Sequence, residues 1–342
     1  MSDGTGRWWS YLLAPLGLAF LEAARLKSAC HRAGLLRGAS LPAPALAVGN
    51  LTFGGTGKTP FTLFLARRCL DLGLKPAILS RGYGRETTGP LPVSAASAAA
   101  DVGEEPLLMA RGLPGVPVAV GERREEAAAL VDPAPDLFLL DDAFQHQRVA
   151  RDGDLLLVDA SRPGDLRVPP VGRLREPLSA VRRADLLVVT RGSFDELPPK
   201  LRALWGGRPA VSARFRWHAG LGPDGAGNLG SLHGRRLLAF AGTARPETFF
   251  AQARQEGLDL AETLSFPDHA EPTAERQAAV RSRASALKCD AVLTTEKDAL
   301  KWLPSWKGPV PLLYVRLETL LDDPQGVLDA LLLRLARRGT PR

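Results

Sequence analysis

The 342 residues, 45% hydrophobic and 24% charged, have the composition of a globular protein with a substantial core and room for two domains. The 44 Lys and Arg exceed the 37 Asp and Glu by a formal +7, which suits anionic partners such as nucleotides, nucleic acid or acidic headgroups without choosing among them. The three cysteines, Cys30, Cys69 and Cys289, lie far apart with no Cys-x-x-Cys spacing; this excludes a disulfide framework and a zinc site and suits a reducing compartment.

The first segment, Arg7 to Gly38, carries an uncharged run from Trp8 to Leu21. At 1.5 Å per residue that run is too short to cross roughly 30 Å of hydrocarbon. Trp8 and Trp9, with Arg25, Lys27, His31 and Arg32 behind them, suit a helix lying in a membrane interface. The competing expectation is an apolar helix packed on its own domain.

From Val48 onward short apolar runs alternate with helical stretches. "PALAVGN", "KPAILSRG", "VPVAVG", "DLFLLDDA", "DLLLVDA" and "DLLVVTR" read as strands, with helices over Pro60–Leu72 and Glu104–Arg111 between them. Continuous apolar strands with intervening helices predict a mainly parallel sheet covered on both faces, the α/β doubly wound class. Near Arg208 the pattern changes: "RPAVSARFRWHAGLG" alternates like an exposed strand and "PDGAGNLG" reads as a loop. The alternation restarts with "RRLLAFAG", a helix over Pro246–Glu256, "DAVLTTEKD" and "VPLLYVRLE", and "DPQGVLDALLLRLARR" closes the chain as an amphipathic helix. The expected organisation is an N-terminal interface helix over 1–38, a nucleotide-binding domain over 39–210 and a smaller α/β domain over 211–317. Strands at either end of the smaller domain act as linkers, and the terminal helix over 318–342 returns to the first domain.

The strongest signal is "TFGGTGKT", Thr52, Phe53, Gly54, Gly55, Thr56, Gly57, Lys58 and Thr59, between a strand and a helix. In a P-loop, backbone amides surround phosphate oxygens, the lysine reaches the β and γ phosphates, and the hydroxyl binds Mg²⁺. The helix N-terminus adds free amides and a positive dipole end. Thr52 stands where the motif's first glycine is expected. Downstream, "DLFLLDDAFQHQ" ends four apolar residues on Asp141 and Asp142, the layout of a strand whose terminal acid holds Mg²⁺. No Asn-Lys-x-Asp element for guanine is present, so ATP is expected over GTP.

Eight motifs in order, "VGNLTFGGTGKTP", "SRGYGR", "GEEPLLMA", "DDAFQHQ", "PPVGRLREP", "AFAGTARPETFF", "FPDHAEPT" and "TTEKDALKW", resemble the tetraacyldisaccharide 4'-kinases, which phosphorylate the lipid A precursor. The resemblance runs from Leu41 to about Trp302. It implies transfer of the ATP γ-phosphate to the 4'-hydroxyl of an acylated glucosamine disaccharide 1-phosphate, with Mg²⁺. It implies two α/β/α domains with a cleft, and peripheral attachment to the cytoplasmic face of the inner membrane through the N-terminal helix. Neither nucleic acid nor a protein partner is implied. The family's Gly-Asp-Glu-Pro stands here as Gly103-Glu104-Glu105-Pro106, so that Glu104, one methylene longer than Asp, takes the place of the group that activates the acceptor hydroxyl beside His269. Glu105, Asp141 and Thr59 are implied as Mg²⁺ ligands, Asp142 and Lys58 as catalytic groups. Arg81, Arg85, Arg173 and Arg175 are candidates for phosphate or headgroup contact.

A second reading is a membrane-surface ATPase switch with a deviant P-loop. Such loops carry Lys-Gly-Gly-x-Gly-Lys-Thr, and Phe53 occupies the place of the first lysine, which counts against it.

Overall fold

A computed structural model describes residues 13–33, 35–36, 38–221, 229–268 and 270–338. Trp8, Trp9 and His269 therefore lie outside the described residues, as does most of the loop expected over 223–230. The chain forms two compact units, one of 1–214 with 319–342 and one of 215–318.

In the larger unit the strands are β1 (Ala45–Asn50), β2 (Pro76–Ser80), β3 (Leu91–Val93), β4 (Val118–Val120), β5 (Leu137–Leu140), β6 (Gly153–Asp159), β7 (Leu186–Thr190) and the first part of β8 (Ala210–Leu221). They lie in the order β8-β7-β6-β1-β5-β2-β4-β3. Every pair is parallel except β3 with β4. All residues of β1, β2, β5 and β7 are buried, which is why their sequences run apolar up to the terminal Asn50, Ser80 and Thr190 rather than alternating.

The helices are α1 (Ala14–Arg32), α2 (Lys58–Asp71), α3 (Ala99–Val102), α4 (Glu104–Gly112), α5 (Arg124–Ala128), α6 (Pro199–Trp205) and the terminal helix Val327–Ala336. Phe61, Leu65 and Cys69 recur every four residues along α2 and meet Val48, Leu139 and Leu157 on one face of the sheet. The terminal helix adds Leu328, Leu332 and Leu335 to the same core and is clasped by Arg68, whose Nε donates to Asp329 at 2.7 Å. Full burial of a side chain such as Phe61 or Leu332 contributes about 2 kcal/mol. The intervening strand residues face the opposite layer, where Leu156 and Val189 pack with Trp205 of α6 and Leu21 of α1.

α1 is docked on one side only. Leu21 and Ser28, two turns apart, are buried, while Leu16, Leu18, Phe20 and Leu26 are exposed. Gly17 lies directly on Pro169, and a Cβ there would collide with its carbonyl. The expectation of a helix packed on its own domain holds for one face of α1; the rest presents large apolar side chains to the exterior.

The smaller unit has the order β10-β9-β11-β12, all parallel, with β9 (Arg236–Ala241), β10 (Asp259–Ser265), β11 (Ala291–Thr295) and β12 (Leu312–Asp322). Helices α7 (Pro246–Gln255), α8 (Ala274–Ala286) and α9 (Glu296–Trp302) cover it. The strand expected over "DAVLTTEKD" is a correction. It stops at Thr295, whose hydroxyl accepts from the Asp298 amide at 3.1 Å, and this N-cap starts α9 inside the motif. β10 and α8 carry no clear apolar period in the sequence; β10 is only half-buried along most of its length.

Candidate active site

The P-loop leaves the C-terminal end of β1, the strand from which the chain proceeds to β2 on one side while β6 lies on the other. In open α/β sheets such reversals leave a crevice beyond the carboxyl ends of the strands, where ligands bind. Gly57 caps α2 with φ 89°, a left-handed conformation that costs glycine nothing, and so aims the first-turn amides of Lys58 and Thr59 at the loop's interior. Thr52 forms an antiparallel bridge with Leu174; this extended backbone explains why glycine is not required there.

The loop is pinned from beneath and from the side. Buried Asn50 donates through Nδ2 to the Thr56 hydroxyl at 3.0 Å and the Gly54 carbonyl at 3.4 Å. The Thr190 hydroxyl donates to the Thr56 carbonyl at 3.3 Å. The Phe53 amide donates to the Arg173 carbonyl at 2.8 Å and the Arg175 amide to the Leu51 carbonyl at 2.7 Å. The shape of the loop is therefore set before any ligand arrives, which lowers the ordering cost of binding.

Asp141 and Asp142 end β5 but face different surroundings. Asp141 is buried and accepts from the hydroxyls of Thr62 at 3.3 Å and Ser80 at 3.4 Å. Burial, then the nearby Glu105 and Asp142 carboxylates, push its pKa up to about 7, against the pull of Lys58 and Arg124. Asp142 adopts φ 44° and is gripped by both Arg175 nitrogens, at 2.7 and 3.1 Å. Lys58 Nζ stands 3.6 Å from the same carboxylate. Burial works to raise this group, but Lys58 and Arg175 outweigh it and hold Asp142 below the ordinary carboxylate range.

Glu104 and Glu105 open α4, where the helix dipole favours negative charge. Glu105 lies close enough to Asp141 to repel its charged form. The structure thus brings Lys58, Asp141, Asp142 and Glu105 together at the ends of β1, β5 and β2, with Glu104 next along the same helical turn. Thr59 follows Lys58 in the first turn of α2.

Of the four arginines singled out, Arg175 enters this cluster and also stands over the Phe53 ring at 5.2 Å. Arg173 contributes its backbone carbonyl. Arg85 is turned inward instead, its side chain 3% exposed and paired with Glu122. Arg81 is exposed, but its charge is felt by Arg124 and His146. Sequence reasoning passed over Asn50, Gln145 and Arg124. Gln145 donates to the Asn50 carbonyl at 2.7 Å and accepts from Arg175 at 3.2 Å. Arg124 is fully buried, donating weakly at 3.4 Å to the Asp141 carbonyl. Asn50, a polar residue ending an apolar strand, left a readable signal; Arg124 sits in an unremarkable charged run.

A doubly wound parallel sheet with a pinned P-loop, and carboxylates facing its lysine, defines the class of P-loop phosphotransferases. The family model described as Tetraacyldisaccharide-1-P 4'-kinase matches residues 9–336. The tetraacyldisaccharide 4'-kinase of Pelobacter propionicus is 40% identical over 94% of this chain and 91% of its own. That of Geobacter metallireducens is 39% identical over 94% and 96%. A crystal structure of the "apo" form of LpxK from Aquifex aeolicus in complex with ATP superposes with a TM-score of 0.78 at 29% identity, covering 95% of this chain and 99% of that one. The chain belongs to the tetraacyldisaccharide-1-P 4'-kinase family, and the ATPase-switch reading is set aside.

Proposed function

We propose that this protein transfers the γ-phosphoryl group of ATP to the 4'-hydroxyl of a tetraacylated glucosamine disaccharide 1-phosphate. The observation that carries this reading is the grouping of Lys58, Asp142 and Arg175 beside buried Asp141 at a P-loop, in a chain of this family. In the reaction the acceptor oxygen forms a bond to the γ-phosphorus, the bond from that phosphorus to the β–γ bridging oxygen breaks, and ADP leaves. The hydroxyl proton passes to a protein base.

The chain's own residues divide this work. The amides of Gly54 to Thr59 enclose the phosphates, and Lys58 neutralises charge on the β and γ oxygens as it moves to the leaving side. Lys58 can be drawn from Asp142 towards phosphate because Arg175 keeps that carboxylate paired. Glu104 orients the acceptor hydroxyl and takes its proton, with His269 as the partner base implied by the family motif.

Mg²⁺ fits the donor set, since Asp141 and Glu105 offer hard oxygen ligands whose mutual repulsion already disfavours the charged form of Asp141. Thr59 supplies the hydroxyl. When bound there, Mg²⁺ would supply Lewis-acid charge neutralisation on the phosphate oxygens.

The exposed apolar side chains of α1, including Leu16 at 69% and Leu26 at 67%, with Arg25 and Lys27 flanking Leu26, support seating on an anionic membrane surface. Among the described residues no helix is long and apolar enough to cross a membrane. We place the protein peripherally at the cytoplasmic face of the inner membrane, where its acylated substrate resides.

The test is ADP release by the purified chain in mixed micelles with and without the acylated disaccharide 1-phosphate. Turnover that depends on the acceptor supports the kinase. Equal turnover without it overturns this reading.

A further inference from the structure

We propose that the loop over 161–173 is a second membrane contact beside α1, its arginines resting on the phosphates of anionic phospholipids. The inference rests on the peripheral seating proposed above. The loop follows β6, and its sequence, "SRPGDLRVPPVGR", carries Arg162, Arg167 and Arg173 against the single acid Asp165. Asp165 stands 3.8 Å from Arg162 and 4.0 Å from Arg173, longer than a charge-assisted hydrogen bond. Arg167 is exposed, and its guanidinium makes no ion pair or hydrogen bond among the described residues.

The loop is rigid because it folds back on itself. The Arg173 amide donates to the Asp165 carbonyl at 2.9 Å, the Gly172 amide to the Val168 carbonyl at 2.8 Å and the Leu174 amide to the Arg167 carbonyl at 3.2 Å. A Cβ on Gly172 would stand 2.3 Å from the Arg167 carbonyl oxygen, so the two arms touch. Leu166, 8% exposed, joins the apolar cluster that holds Leu21 of α1. At the far end Gly17 of α1 comes so close that a Cβ there would fall 1.8 Å from the Pro169 carbonyl oxygen and 2.9 Å from Val168 Cγ1. Exposed Leu16 and Leu18 flank Gly17. Arg167 lies two residues from Pro169, within about 7 Å along the chain.

A helix whose apolar face sinks about 5 to 10 Å into the headgroup boundary carries whatever is packed on it to the depth of the lipid phosphates. Arginine suits that depth. Its stem can lie on apolar surface while the guanidinium reaches outward, and its planar fork donates to two phosphate oxygens at once. Nucleic acid would make no use of Leu16, Leu18 and Phe20 beside these charges, whereas an anionic bilayer uses both. The arrangement also matters for the site. The Phe53 amide bonds the Arg173 carbonyl at 2.8 Å, so the loop that rests on lipid also supports one wall of the P-loop.

The experiment is flotation of the full chain with vesicles of phosphatidylcholine alone, and with vesicles containing about one third phosphatidylglycerol. Wild type is compared with Arg167→Gln, Arg167→Lys and Lys75→Gln, the last a control on the exposed residue preceding β2, at the opposite end of the sheet. Thermal melts check that each variant is folded. Arg167→Gln should weaken partition onto the anionic vesicles by about fivefold, the share of one cation near such a surface, and leave partition onto phosphatidylcholine unchanged. Added salt should weaken wild-type binding more steeply than that of Arg167→Gln. Arg167→Lys should keep most of the affinity, and Lys75→Gln should match wild type. Unchanged anionic partition in Arg167→Gln overturns the proposal. So does an equal loss in Lys75→Gln, which would report net charge alone, or an equal loss on phosphatidylcholine, which would report damage to α1. A raised acceptor KM for Arg167→Gln in neutral micelles overturns it in favour of a contact to the acceptor's own phosphate. Wild type that does not float overturns the membrane seating and this proposal with it, whereas wild type and Arg167→Gln floating alike overturn only the latter.

Discussion

Replacing Lys58 by Met keeps the length of the side chain and removes its charge. In the structure that charge lies 3.6 Å from an Asp142 oxygen, with the lysine side chain 12% exposed. At an effective dielectric of about 20, a unit charge acting over this distance is worth about 4 to 5 kcal/mol before desolvation is counted. A net loss of about 3 kcal/mol in transition-state stabilisation corresponds to a fall in kcat of roughly a hundredfold. Stability should respond differently. Asp142 keeps both Arg175 hydrogen bonds, so no carboxylate is stranded and the folded state should lose no more than about 1 kcal/mol. Lys58→Arg should recover only part of the rate, because a planar guanidinium cannot reproduce a compact ammonium. The assay is acceptor-dependent ADP release, run beside a thermal melt. A Lys58→Met protein that melts like wild type and retains kcat within about threefold would refute the placement of this lysine on the transferred phosphate.

The other expectations concern the base, the membrane face and acid stability. On the roles proposed, Glu104→Gln and His269→Ala should each lower kcat at least about tenfold, and the double variant should lose less than the product; single-site losses that multiply would contradict a shared role. Glu104→Asp should remain active at an altered rate, and activity of Glu104→Gln equal to wild type would move the base elsewhere. Changing Leu16, Leu18 and Phe20 together to Glu should release the protein from anionic vesicles in a flotation assay while leaving the buried Leu21 side of α1 in place; undiminished flotation would contradict the interfacial role. His146 is held down to about 4, first by burial and then by Arg124, Lys27, Arg148 and Arg81. The unfolded chain therefore binds a proton that the folded chain refuses. The contribution is fully present above about pH 6.5 and is lost as pH falls towards about 4, with about 1 to 2 kcal/mol at stake after allowance for partial solvation. Denaturant titrations at pH 7 and pH 5 should show His146→Gln losing less stability on acidification than wild type, and equal losses would assign the acid sensitivity to other groups.

A feature of this fold is legible in the sequence to the extent that it is local. The P-loop was readable because strand, glycine turn and helix are contiguous, and Asp141 and Asp142 because an apolar run stops on them. The grip of Arg175 on Asp142 spans 33 residues and leaves no local trace; among many arginines, only the fold distinguishes it from inward-facing Arg85. Asn50 shows itself as a polar residue ending an apolar strand, whereas Gln145 acts on the Asn50 carbonyl and on Arg175 through hydrogen bonds that any surface amide could mimic in sequence. β10 was missed for a related reason. As an edge strand with half-buried side chains it needs no strict alternation, and its Glu262 serves an ion pair with Arg283 of α8 rather than a core. The strand assigned through "TTEKD" erred at its end because a capping threonine looks like any β-branched strand residue until its hydroxyl is seen accepting the Asp298 amide.

The central claim is that a phosphoryl group moves from ATP to one particular hydroxyl of a lipid. Phosphorus NMR correlated with the sugar protons, applied to the lipid recovered after incubating the purified chain with Mg²⁺, ATP and the tetraacylated disaccharide 1-phosphate, tests it most directly. The account predicts a second phosphate monoester coupled to the proton at the 4' carbon, appearing in step with ADP. Inorganic phosphate released with the lipid unchanged, or a new ester at any other position, would contradict it.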